Sequence, residues 1–114
     1  MARTLGELEH LILFSIVRLG AEAYGLNVWR ELEERAGKTV GSGAVYTALD
    51  RLEKRGLISS SMGEPTAERG GRRKRHYQLK REGAELLHRV HRSLMRMAEG
   101  VEEAVERMAQ GRPA

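Results

Sequence analysis

Residues 42–62, SGAVYTALDRLEKRGLISSSM, lead through a glycine-containing loop into residues 70–79, GGRRKRHYQL, and this pair of stretches decides the fold. In the first stretch Val45, Leu49 and Leu52 recur at spacings of four and three, which places them together on one helix face. Ser42 carries a side-chain oxygen suited to capping the helix start, and Gly56 stands where the helix should end. Leu57 and Ile58 then open a strand. Its return partner runs from Arg75 to Leu79, with Tyr77 and Leu79 alternating against His76 and Gln78. The fold class that follows is mostly α with one small β-hairpin.

Upstream, Leu5, Leu8, Leu11, Ile12, Ser15, Ile16 and Leu19 fall at helical spacing, while Leu13, Phe14 and Val17 make the second half apolar on nearly every side. Such a helix should be covered on both faces. Gly20 ends it, and Tyr24-Gly25 introduces a short amphipathic helix with Val28, Leu32 and Ala36 inward and Gly37 at its close. Downstream of Arg81, Leu87, Leu94, Val101 and Met108 are spaced by seven, with Val90, Met97 and Ala104 three residues after the first three. Read as one continuous helix, this segment would be about 40 Å long at ~1.5 Å per residue, with Gly100 as its weak point. A helix of that length overhangs a small domain, so part of its stripe needs another chain. The predicted organisation is a compact helical unit carrying the hairpin over residues 1–80, a dimerisation helix over 81–110 and a disordered tail over 111–114.

Across 114 residues, 20 Lys+Arg against 16 Asp+Glu give a formal charge of +4, a weak pointer to an anionic partner by itself. Distribution says more. Arg69, Arg72, Arg73, Lys74, Arg75, Lys80 and Arg81 share one acid-free stretch, whereas Glu99, Glu102, Glu103 and Glu106 make the tail acidic. The chain has no cysteine, which excludes disulfides and thiolate metal sites and fits a reducing compartment. The apolar run from Leu11 to Val17 is far shorter than the roughly 20 residues that span a bilayer, and nothing at the amino end reads as a signal peptide. The expected location is cytoplasmic, with no membrane partner.

Entry into a major groove requires small or hydrogen-bonding side chains in the first turn of a helix, so that backbone and polar groups reach base edges and phosphates. Ser42, Gly43 and Ala44 meet that requirement. The candidate DNA contacts are Ser42, Gly43, Ala44, Tyr46, Thr47 and Arg51, with Thr39 from the preceding turn and Arg72, Arg73 and Lys74 near the hairpin turn neutralising phosphates. An isolated Arg/Lys run is as often a solvated face. Between a helix ending in Gly-Leu-Ile and a Tyr-Gln-Leu strand, the run takes on the meaning of a winged helix-turn-helix, followed here by a long carboxyl-terminal dimerisation helix.

The same residues resemble the PadR family of transcriptional regulators. The resemblance covers nearly the whole chain: Tyr24-Gly25 before Val28 and Leu32, Gly43-Ala44-Val45-Tyr46 with Leu49, Arg51-Leu52-Glu53, Gly56-Leu57-Ile58, Arg72-Arg73 with Tyr77 and Leu79, and Gly83 with Leu86-Leu87. It implies a homodimeric repressor of the compact subgroup whose last helix packs against the partner's first. Double-stranded DNA with a pseudo-palindromic operator would be the partner. The dimer interface would draw on Leu8, Leu11, Ile12, Leu87, Val90, Leu94, Met97 and Val101. Lys80 departs from the family, which usually has Thr there, so the start of the last helix should lack a side-chain cap and be less well fixed.

Other readings stay open at this point. A small-molecule effector is a candidate partner without assigned residues, since no aromatic side chain lies on the last helix; Trp29 is either rim packing or a ligand contact. Glu85, His88 and His91 at spacings of three could make a metal-responsive winged-helix repressor, although Arg89 and Arg92 beside them oppose a cation. No cofactor is expected. A protein-interaction module working through the carboxyl-terminal helix is the remaining alternative, separable from DNA binding by salt dependence. No nucleophile with a base and no glycine-rich phosphate loop argues for an enzyme.

Overall fold

The computed structural model describes residues 3–63 and 74–113. Its elements are α1 (Glu7–Leu19), a 3-10 turn (Gly20–Glu22), α2 (Gly25–Glu34), α3 (Ser42–Lys54), β1 (Ile58–Met62), β2 (Arg75–Leu79), α4 (Arg81–Ala98) and α5 (Glu102–Ala109). The two strands pair antiparallel, with Ile58 opposite Leu79 and Met62 opposite Arg75. Tyr24 adds an isolated antiparallel bridge to His76, and the Tyr77 N–H donates to the Ala23 carbonyl at 2.9 Å. The hairpin is thereby tied to the connection between α1 and α2.

The core forms where the inward faces of α1 to α4 meet the root of the hairpin. Ile12, Leu13 and Ile16 from α1, Val28 and Leu32 from α2, and Val45, Leu49 and Leu52 from α3 are all buried there with Leu57, Ile58, Tyr77, Leu86 and Leu87. Burial raises the pKa of the Tyr77 phenol, against the smaller opposing effect of Arg75. The end of α3 has a defined stop. The Gly56 N–H donates to the Glu53 carbonyl at 2.9 Å and the Leu57 N–H to the Leu52 carbonyl at 3.1 Å, the paired bonds of a Schellman turn. Gly56 supplies the φ of 76° that this turn requires, and Leu52 and Leu57 are both fully buried beside it.

Two expectations are corrected, the cap of α3 and the placement of Ile12 and Leu87. Gly41, not Ser42, occupies the cap position of α3 with extended backbone, and Ser42 is the first helical residue without a side-chain capping bond. The carboxyl-terminal segment divides at the weak point the sequence marks: Gly100, at φ 83°, separates α4 from α5 because the chain there leaves the right-handed helical region. Within one chain Phe14 and Val17 of α1 are exposed. Ile12 and Leu87, assigned to a dimer interface, point into the chain's own core and are 0% and 6% exposed, which leaves them nothing to offer a partner.

The missing cap at the start of α4 is observed, as Lys80 makes no side-chain capping bond. Its start is nevertheless anchored by backbone: the Lys80 N–H donates to the Leu57 carbonyl at 3.0 Å, and Gly83 lies so close to that carbonyl oxygen that any Cβ would collide with it.

Candidate nucleic-acid interface

The amphipathic split of α3 creates the site. Val45, Ala48, Leu49 and Leu52 are buried on one side, while Ser42, Gly43, Ala44, Tyr46, Thr47, Asp50 and Arg51 are exposed on the other. Sequence reasoning grouped the candidate contacts on this helix, and the structure places all of them on its exposed face; Thr39 is exposed in the turn before it. Because no side chain caps α3, the N–H groups of Ser42 and Gly43 remain available at the end where the helix dipole is positive, a suitable environment for phosphate oxygens.

Two side chains hold that face in position. Trp29 from α2 donates its indole N–H to the Val40 carbonyl at 2.8 Å, fixing the turn that delivers α3; this decides Trp29 as a packing residue that also positions the helix. Tyr46 rests its ring on Gly25, at the first turn of α2. A Tyr at this place is half support and half surface, with 46% of it exposed.

The hairpin attaches directly behind α3. Ser60 donates its hydroxyl to the Glu53 carboxylate at 2.7 Å, and Arg75 donates to the same Ser60 oxygen at 2.9 Å. Arg75 is therefore tied along the strand pair. Arg72 and Arg73 lie outside the described residues, and Lys74 is half-buried with its ammonium 4.5 Å from the centre of the Tyr24 ring. Sequence reasoning had Lys74 as a phosphate contact and Tyr24 only as a helix-start marker. Pattern alone could not join them, because their encounter depends on the bridge between Tyr24 and His76.

Away from the hairpin, α1 meets α4 at a cluster of rings. Phe14 lies 5.1 Å from His91 edge-on and 5.2 Å from His10, with the two imidazoles 5.7 Å apart. Beside them an apolar groove of about 510 Å³ is lined by Leu5, Leu11, Val90 and Leu94. The residues of the metal reading have partners of their own within one chain. Glu85 pairs with Arg81 at 2.9 Å, His91 is committed to the ring cluster, and no group of three His, Asp or Glu residues among those described could hold a metal ion. No helix among the described residues is long and apolar enough to cross a membrane.

Helix-turn-helix, hairpin and exposed recognition face match a known regulator family: the sequence fits the transcriptional regulator PadR-like family over residues 12–89. The chain belongs to that family. As a PadR-family protein it is a DNA-binding transcriptional regulator with a winged-helix fold. Solved relatives agree. A PadR family transcription regulator from hypervirulent Clostridium difficile is 27% identical, covering 86% of this chain and 97% of its own, with a TM-score of 0.68. A PadR-like transcription factor from Bacteroides fragilis is 29% identical, covering 84% and 87%, with a TM-score of 0.66. A PadR-like regulator from Bacillus cereus, at 23% identity, 86% and 90% coverage and a TM-score of 0.68, shares the fold. No curated protein sequence matches the chain.

Proposed function

We propose that this PadR-family regulator is a homodimeric repressor that sets two copies of α3 into successive major grooves of a pseudo-palindromic operator, roughly 34 Å apart. The observation that carries the reading is the exposed, uncapped front of α3, where Ser42, Gly43, Ala44 and Thr47 leave room for close approach to the bases. Tyr46 and Arg51 would serve the backbone, Thr39 would add a contact from the preceding turn, and Arg72 and Arg73 would neutralise phosphates beside the groove.

Dimerisation is supported by what one chain leaves uncovered. Leu94 and Met97 on α4 are 55% and 78% exposed, and Val101, Val105 and Met108 after them are exposed as well. Leu8, Leu11 and Val90 are partly buried. A water-exposed set of this kind is stabilised by pairing with a second copy, since each large apolar side chain removed from water is worth about 1.5–3 kcal/mol. The small-molecule effector that would release the operator has no assigned residues.

The deciding experiment is a footprint on the DNA upstream of the protein's own coding sequence, combined with sedimentation. A protected two-fold site and a dimer that Leu94→Asp splits are expected. Thr47→Ala should change which operator variants are preferred, whereas Arg73→Ala should weaken all of them alike. A monomer that footprints nothing and binds DNA without salt dependence would refute the reading.

A further inference from the structure

We propose that Lys74, Tyr24 and His76 form a clamp at the root of the hairpin, and that Lys74 acts as a positioning residue for DNA binding instead of contacting phosphate. The inference rests on the reading that Arg72 and Arg73 grip the DNA backbone.

The geometry starts with alternation. Lys74 immediately precedes β2 and His76 is its second residue, so in an extended chain their side chains leave on the same side. Both meet the ring of Tyr24. His76 presents its edge at 5.5 Å and 69°, and the Lys74 ammonium stands over the ring at 4.5 Å from its centre. His76 goes further, donating from Nε2 to the Gly20 carbonyl at 2.9 Å. Tyr24 is itself the cap residue of α2 and bridges His76 through its backbone. One aromatic ring therefore links the hairpin to the helix that carries α3.

Position along the hairpin gives the clamp its purpose. The Lys74 carbonyl accepts from the Gly63 N–H at 2.7 Å, the outermost bond between the two arms among the described residues. Arg72 and Arg73 immediately precede Lys74 in sequence. Whatever fixes Lys74 fixes the point from which they project. An ammonium seated on a ring is attracted by its π-face, and it would have to abandon that seat to reach a phosphate.

The test measures affinity of the full chain for a labelled mixed-sequence duplex across a salt series. Lys74→Gln and Tyr24→Leu should each weaken binding about three-fold, and the double variant should be no worse than either alone. In an Arg72→Gln/Arg73→Gln background, Lys74→Gln should have no further effect, because nothing is left for the clamp to aim. Equal weakening by Lys74→Gln in both backgrounds, with Tyr24→Leu neutral, would make Lys74 a direct phosphate contact and overturn the proposal. So would an absence of effect of Lys74→Gln in the parent. A different result marks failure of the underlying reading: if Arg72→Gln/Arg73→Gln itself leaves affinity and salt slope unchanged, the hairpin does not grip DNA, and the clamp's role falls with it.

Discussion

The ring of Tyr46 lies against Gly25 so closely that a Cβ at residue 25 would stand 2.7 Å from its Cζ and 2.8 Å from its hydroxyl oxygen. Glycine is required here for close approach of α2 and α3, since its backbone carries no positive φ. The obstructing atoms belong to a half-exposed side chain, which can swing outward at moderate cost. Gly25→Ala is expected to destabilise the protein by about 1 kcal/mol, the low end of overpacking, and to lower DNA affinity by displacing a residue of the recognition face. Urea denaturation checks it. The cost should vanish in a Tyr46→Ala background, and an undiminished cost there would place its origin elsewhere.

Gly83 offers the opposite case. A Cβ there would run into the Leu57 carbonyl oxygen and come within 2.7 Å of Leu79 Cδ1. Backbone cannot swing aside, and this same carbonyl already accepts the Lys80 N–H. Gly83→Ala should therefore cost about 3 kcal/mol, lowering the melting temperature by roughly 10 °C or more for a domain of this size. A loss no greater than that of Gly25→Ala would show that α4 can lift from the hairpin freely.

The difference between these two glycines marks how far the sequence could be read. Helical spacing of Val45, Leu49 and Leu52, the stop at Gly56 and the alternation around Tyr77 all report local periodicity, and each element lies where those patterns put it. Local pattern also separated the exposed face of α3 from its buried one. Burial by another element is not local: Ile12 and Leu87 belong to apolar stripes that looked suited to a partner, yet tertiary packing turned them into the core. The heptad spacing from Leu87 to Met108 runs through a break that only the glycine signalled: Gly100, the weak point of the segment, takes φ 83°. Capping by Gly41 in place of Ser42 shifts the helix start by one residue, a margin within which helix ends are poorly specified.

Trp29 illustrates a support that burial alone would not identify. Its indole N–H is bonded to the Val40 carbonyl at 2.8 Å, eleven residues away, so replacing it with Phe keeps most of the apolar area but removes the link to the turn before α3. Trp29→Phe is expected to cost about 1 kcal/mol and to speed amide exchange in residues 38–41. Measured by hydrogen exchange, protection of the turn equal to that of the parent would mean that the bond does not hold it.

His10 gives the pH dependence. Burial, followed by the positive potential of His91 beside it, holds its pKa below the ordinary 6.5, and its Nε2 is buried without a hydrogen-bond partner among the described residues. The folded chain therefore binds fewer protons at this site than the unfolded chain as pH falls through 6.5 toward the lowered value. Stability contributed by neutral His10 is complete above 6.5 and is lost progressively below it. Denaturation midpoints measured from about pH 8 down to about pH 5 should fall for the parent. They should fall less for His10→Asn, which has no imidazole to protonate next to Phe14 and His91. Since this ring cluster borders the apolar surface proposed for the second copy, protonation should loosen the dimer in the same range, and sedimentation at the two ends of the series reads that directly. Parent and His10→Asn curves of the same slope would show that the imidazolium forms in this cluster without penalty.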